Sequence, residues 1–263
     1  MNRIEKKFRD LKRANKKAFI AFITAGYPNL ATTEKLVREF ERAGVDIVEL
    51  GVPFSDPMAD GPVIQEASRH ALEKNTHLAD ILRLVRKLRP RVRLPIALMT
   101  YYNPVFCFGE EKFISQALAC GVDGVIIPDL PPDEGRAFIS RSRKAGLDVI
   151  CFLSPTSSLP RVKYIASVTR GFIYYVSLTG VTGARKALPA DLKNNLALIK
   201  RYTSKPVCVG FGVSTAAQVK AVSSIADGVI VGSAIVKKIK ENIGKPDLVK
   251  NVTGFVSSLI GGR

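Results

Sequence analysis

Two histidines, His70 and His77, and four cysteines are all that this 263-residue chain offers in imidazole and thiol. No H-E-x-x-H, C-x-x-C or mixed Cys/His cluster accompanies them, which argues against a metal site. Cys107, Cys120, Cys151 and Cys208 are widely spaced, and two stand in apolar runs, Val149-Ile150-Cys151-Phe152 and Val207-Cys208-Val209. They read as buried reduced thiols. No apolar stretch approaches the roughly 20 residues that span a bilayer, and the basic N-terminus lacks the apolar core of a signal peptide. A soluble protein of the cytoplasm is expected.

Acidic residues are also scarce, 23 against 40 Lys and Arg, for a net charge of +17. The excess is clustered: residues 1–17 hold eight cations against Glu5 and Asp10, and residues 83–93 hold six with no acid. Such clusters can bind nucleic acid or an anionic surface, but no aromatic interleaving or nucleic-acid motif accompanies these. Two solvated helix faces are the expected reading, and nucleic acid is not the expected partner.

What is present is apolar side chain, 46% of the chain, patterned as strands alternating with helices. Val/Ile/Phe-rich runs recur at 18–24, 46–51, 94–100, 123–128, 147–153, 171–177, 206–210 and 227–232. Between them lie 3.6-residue periodicities, such as Leu36, Val37, Phe40 and Ala43, or Leu78, Ile81, Leu82, Val85 and Leu88. A repeated junction, Ala43-Gly44-Val45-Asp46, Cys120-Gly121-Val122-Asp123 and Ala145-Gly146-Leu147-Asp148, stops a helix with Gly and opens the next strand with Asp. Eight such units, with no G-x-G-x-x-G after the first strand, predict an α/β fold: a single-domain (β/α)8 barrel over residues 1–263. Residues 1–17 become an N-terminal capping helix and 245–263 an extra C-terminal helix. Both basic clusters precede strands and so belong to the N-terminal face, whereas barrel active sites lie at the other face.

Within the strand interiors a single carboxylate appears, Glu49, near the C-terminal end of the second strand and on the face of Ile47. Apolar surroundings there raise a carboxyl pKa toward the range of acid–base work, although a salt bridge or backbone amides could hold it instead. The following loop, from Pro53 to Pro62, brings Asp56 and Asp60, each suited to turn formation as much as to chemistry. Gly210-Phe211-Gly212 and Gly232-Ser233 follow the seventh and eighth strands, where barrels build phosphate cradles from backbone N–H groups; plain tight turns are the alternative. No strand carries a Lys for Schiff-base chemistry.

The segments Phe22-Ile23-Thr24-Ala25-Gly26-Tyr27-Pro28 and Glu49-Leu50-Gly51-Val52-Pro53-Phe54-Ser55-Asp56-Pro57-Met58-Ala59-Asp60-Gly61-Pro62-Val63-Ile64-Gln65 closely resemble tryptophan synthase α subunits. Tyr101-Tyr102-Asn103-Pro104, Asp129-Leu130-Pro131-Pro132, the 177–183 segment, the 210–214 segment and Gly232-Ser233-Ala234-Ile235-Val236 extend the resemblance over nearly the whole chain. It implies a lyase that cleaves indole-3-glycerol phosphate to indole and glyceraldehyde 3-phosphate, a step of tryptophan biosynthesis. Glu49 would be the general acid–base and Asp60 the acceptor of the indole N–H. Phe22, Ile64, Met99, Tyr101, Ile126 and Tyr174 would wall the indole and propanol, Thr182 would belong to a closing loop, and Gly183, Gly212, Gly232 and Ser233 would cradle phosphate. With no strand Lys and no metal, the substrate itself must accept electrons, as an indole protonated at C3 does.

The resemblance also implies an α2β2 complex, with pyridoxal phosphate only in the β-subunit partner and no cofactor on this chain. Pro53, Asp56, Asn103 and Pro131 would face that partner. Leu178 stands where some members carry Arg, and the net charge is high for the family. Two alternatives remain at this level. One is another phosphate-binding barrel of the same pathway region, such as indole-glycerol-phosphate synthase, which needs a strand Lys, or phosphoribosylanthranilate isomerase. The other is a non-catalytic barrel with a regulatory or nucleic-acid-binding role.

Overall fold

A computed structural model describes residues 2–176, 191–210 and 212–262. Among these, nine parallel strands form one sheet: β1 Ala18–Thr24, β2 Ile47–Gly51, β3 Ile96–Met99, β4 Gly124–Ile126, β5 Asp148–Ile150, β6 Phe152–Leu153, β7 Ile173–Val176, β8 Val207–Gly210 and β9 Gly228–Val231. Their order is β5-β4-β3-β2-β1-β9-β8-β7-β6. The run expected as one strand over 147–153 is thus divided at Cys151. β5 pairs with β4, while β6 pairs with β7. Arg170 N–H donates to the Val149 carbonyl and Tyr174 N–H to the Cys151 carbonyl, both at 3.0 Å, so the two halves act as one stave and the sheet closes into an eight-stave barrel.

The Gly-x-Asp junctions explain how each stave is started. Gly44, Gly121 and Gly146 take left-handed φ values of 88°, 89° and 99° and end their helices. Two residues on, Asp46 accepts the Phe19 N–H and Asp123 the Ile96 N–H, each at 2.9 Å, latching one stave to the next. Asp227 does the same for Val207 N–H at 2.8 Å. Asp148 differs. It opens β5, is buried, and its Oδ2 has no hydrogen-bond partner. The strands therefore carry two carboxylates, not Glu49 alone, and Asp148 sits at the opposite end of the barrel from it.

The barrel interior holds Ile20, Ile47, Ala97, Ile126, Ile150, Cys208 and Ile230. Its N-terminal mouth is plugged by Ile4, Phe8 and Leu11, which share one face of the helix Arg3–Arg13 at three- and four-residue spacing. That leaves the C-terminal mouth as the open end. The last helix, Leu248–Ile260, packs outside against the helix Leu30–Ala43. Cys120, Cys151 and Cys208 are buried free thiols, but Cys107 is exposed, because the short helix Tyr102–Phe108 turns only Val105 fully inward. No helix among the described residues is long and apolar enough to cross a membrane.

Candidate active site

The register of the barrel decides where Glu49 points. Ile47 belongs to the interior cluster, whereas Val48 and Leu50 pack in the layer under the helices, so the two-residue alternation turns Glu49 inward. It is paired across the ladder with Phe22 on one side and Ala97 on the other. It is 0% exposed, and neither carboxylate oxygen has a hydrogen-bond partner among the described residues. Desolvation alone raises its pKa from 4.5 to about 8. Near neutral pH this group holds its proton. Neither a salt bridge nor a backbone amide, the alternative readings of the sequence, holds it among the described residues.

Asp60 reaches the same region from the loop after β2. It is 8% exposed, and its Oδ2 accepts a hydrogen bond from the Tyr101 hydroxyl at 3.1 Å. Tyr101 is fixed in turn, its oxygen accepting the Ala59 N–H at 2.9 Å and its ring stacking on Phe54 with centroids 5.1 Å apart. Burial raises the Asp60 pKa to about 6, and the Tyr101 hydrogen bond restrains the rise. The two carboxyl groups are therefore set in opposite states near pH 7, Glu49 protonated and Asp60 ionised. Tyr174 feels both groups: its phenol is pushed well up by burial and then by the fields of Glu49 and Asp60.

A cavity of about 600 Å³ opens at this mouth. Phe22, Asp60, Ile64, Met99, Tyr174, Gly212, Gly232 and Ser233 line it, together with residues that carried no sequence signal: Ser154, Ser157 and Arg161 beyond β6, and Phe152 within it. Phe152 lies against Tyr174 at 4.9 Å between ring centroids. Arg161 pairs with Asp133 and stands over the Tyr164 ring. Among the other expected wall residues, Tyr101 acts one layer back through Asp60, and Ile126 lies in the interior core rather than on the cavity surface. Gly232 caps the N-terminus of the helix Ser233–Lys240, the Ile235 and Val236 N–H groups donating to its carbonyl, so that the positive end of this helix starts at the cavity wall, where an anion is favoured. Thr182, Gly183 and Leu178 lie outside the described residues.

Glycine is required where the aromatic walls meet the strands. A Cβ on Gly210 would stand 2.5 Å from Tyr174 Cε1 and 2.7 Å from its hydroxyl. Gly210→Ala is expected to destabilise the fold by about 1–3 kcal/mol, the usual cost of overpacking, and to weaken substrate binding by displacing the ring. Denaturant unfolding beside a KM measurement checks this; an unchanged midpoint and KM would mean that the ring swings aside freely.

Pro53, Asp56, Asn103 and Pro131 all lie on loops or first helical turns beyond β2, β3 and β4, at the cavity end. Asp56 and Asn103 are exposed, Pro131 is half-buried and Pro53 is buried. The same rim exposes two large apolar side chains, Met58 at 82% and Phe106 at 65%.

A closed parallel barrel, with an ionised carboxylate, Asp60, on the wall of a cavity at its C-terminal mouth and a proton-bearing one, Glu49, buried outside the cavity lining and paired across the ladder with the wall residue Phe22, defines an enzyme of the (β/α)8 class built for proton transfer. A family model described as tryptophan synthase alpha chain matches residues 8–257. The tryptophan synthase alpha chain of Geobacter sulfurreducens is 51% identical over 259 residues, covering 98% of each chain, and that of Geotalea uraniireducens is 48% identical over 262 residues, covering 100% of this chain and 98% of the other. Among solved structures, tryptophan synthase subunit alpha from Legionella pneumophila superposes with a TM-score of 0.93 at 39% identity, over 100% of this chain and 98% of that one. A chain of Mycobacterium tuberculosis tryptophan synthase gives 0.91 at 33%, over 99% and 98%. The chain belongs to the tryptophan synthase alpha chain family. None of these relatives is an indole-glycerol-phosphate synthase, a phosphoribosylanthranilate isomerase or a non-catalytic barrel.

Proposed function

We propose that the chain cleaves indole-3-glycerol phosphate to indole and glyceraldehyde 3-phosphate, with Glu49 as the proton donor and acceptor. The observation that carries this reading is the fully buried Glu49 carboxyl, without a partner among the described residues, whose pKa of about 8 keeps it protonated at neutral pH. Glu49 gives its proton to indole C3, and the ring takes up positive charge as an indoleninium. Asp60, ionised above pH about 6, accepts the indole N–H and stabilises that charge. The Glu49 carboxylate then takes the proton of the side-chain hydroxyl on the carbon bound to C3. The C–C bond breaks, its electron pair returns to the ring, and the aldehyde leaves. One proton goes out and one comes back, so the cycle closes on the protonated acid.

Phe22, Ile64, Met99 and Tyr174 supply apolar walls for the indole. Gly232 and Ser233 at a helix N-terminus, and Gly212 in the loop after β8, supply backbone donors for the phosphate; family likeness assigns Gly183 to the same cradle and Thr182 to a closing loop, both outside the described residues. The cycle uses protons alone and calls on no cofactor; pyridoxal phosphate belongs to the β subunit that receives the indole. Residues 1–263 act as one domain, in the cytoplasm, within an α2β2 complex. The exposed Met58 and Phe106 support a partner at the cavity rim, beside Pro53, Asp56, Asn103 and Pro131.

The test is indole release from purified chain and indole-3-glycerol phosphate, with β subunit titrated in. Turnover is expected alone and is expected to rise by about tenfold or more in the complex as closed conformations are favoured. No indole under either condition would overturn the activity, and a flat titration would overturn the partnership.

A further inference from the structure

The N-terminal face contains a second cleft, far from the chemistry. Its volume is about 420 Å³, within the range of small-molecule sites, and it is lined by Arg9, Lys12, Arg143, Arg170 and Lys205 with Glu5 as the one carboxylate. Phe8, Thr169, Gly171, Ser204 and Pro206 complete its wall.

What sets this cleft apart is the fate of its charges. Elsewhere on the same face each strand-opening aspartate takes a cation: Lys7 on Asp46, Arg3 and Arg89 on Asp123, and Lys17 on Asp227. The remaining sector has its own aspartate, Asp148, but burial and the neighbouring Glu5, against the field of Arg170, raise that carboxyl to a pKa of about 7, so it holds a proton much of the time at neutral pH. Arg9, Lys12, Arg143, Arg170 and Lys205 make no ion pair among the described residues. Lys205 is held in position, its ammonium donating to the Ala166 carbonyl at 2.5 Å and the Thr169 carbonyl at 2.6 Å. Burial, then the fields of Arg143 and Arg170, lower its pKa against smaller opposing contributions from Cys151 and Glu5, so the cations outweigh the acid around it.

We propose that this cleft binds a small multiply charged anion of the polyphosphate class. Such a ligand supplies the missing negative charge to all five cations at once, and guanidinium groups on facing elements, Arg143 closing one helix and Arg170 preceding β7, suit bidentate contact with phosphoryl oxygens. A concave cleft with Phe8 as its only aromatic, itself buried, offers no platform for stacked bases, which sets it apart from a nucleic-acid groove.

The experiment is calorimetric titration of the full chain with inorganic tripolyphosphate at physiological salt, run in parallel with a short DNA duplex. One tripolyphosphate per chain is expected. The double variant Arg143→Ala/Arg170→Ala is expected to weaken it by about tenfold or more, while Arg86→Ala/Arg91→Ala, the same charge loss on exposed residues of this face outside the cleft, leaves it within about twofold. Glu5→Gln removes the single carboxylate of the lining and is expected to tighten binding severalfold, a gain that no folding defect produces. Indole release stays at the wild-type rate in all three variants, so failure here is separable from failure of the catalytic reading. Absence of saturable 1:1 binding, equal losses in the two double variants, no tightening by Glu5→Gln, or preference for the duplex would each overturn the proposal.

Discussion

Glu49→Gln is expected to lower the rate of indole release by about 10³-fold while leaving affinity for phosphate-bearing ligands within about twofold, because glutamine keeps the size of the side chain and loses only the transferable proton. The group sits fully buried beside Phe22, with no partner to misplace when it is changed. Wild-type turnover in this variant would remove Glu49 from the mechanism. A second readout comes from stability. The folded pKa of about 8 lies above the ordinary value of 4.5, so across that window the native state binds more protons than the unfolded chain. Stability attributable to Glu49 is complete below pH 4.5, falls as the pH rises, and is lost by about pH 8. Glutamine does not titrate. The melting temperature of the wild type should therefore fall relative to that of Glu49→Gln between pH 5 and pH 8, with Asp60 and Asp148 common to both and cancelling. A gap that stays constant with pH would mean that the carboxyl is not protonated in the native state.

Asp60→Asn is the second large effect, about 10²-fold in turnover, the usual scale for removing one charge-stabilising group in a water-poor site. The asparagine oxygen can still accept the indole N–H but brings no negative charge to the indoleninium. The pH profile identifies the cause. In the wild type the rate should fall below pH about 6 as Asp60 takes a proton and above pH about 8 as Glu49 loses one. In Asp60→Asn the acid limb should vanish and the alkaline limb remain. An unchanged rate would reduce Asp60 to a residue of the turn, the role its neighbours Pro57, Gly61 and Pro62 make available to it.

The barrel was legible because its determinants are local. The apolar run 18–24 coincides with β1, and each Gly-x-Asp junction carries its stop and its start in four residues. The other strands are shorter than their apolar runs, as in Ile96–Met99 within 94–100, since hydrophobicity marks burial and not the reach of the hydrogen-bonded ladder. Glu49 was legible for a related reason: a carboxylate in an apolar strand, with no strand cation to answer it, announces its own desolvation. The tuning of Asp60 was not legible, because it depends first on burial of its loop at the barrel mouth and then on the Tyr101 hydroxyl 41 residues away. Arg161, Ser154 and Ser157 were missed as well; they are ordinary loop and helix residues until the closure of the barrel carries them over the cavity.

The division of the fifth stave at Cys151 has a consequence for the wall around the cavity. Beyond Ile150 the chain keeps its hydrogen bonds to β7 but is no longer paired with β4, and a small void of about 130 Å³ lies along that gap, bordered by Pro128, Pro131, Phe152 and Arg161. Pro128, Phe152 and Arg161 border the larger chamber too. The vessel thus has, among the described residues, an unstitched seam at this stave, running from the chamber to the prolines at the rim. Along that line the two sides are tied by side chains, Arg161 to Asp133 and the Tyr164 hydroxyl to the Pro132 carbonyl, and not by a backbone ladder.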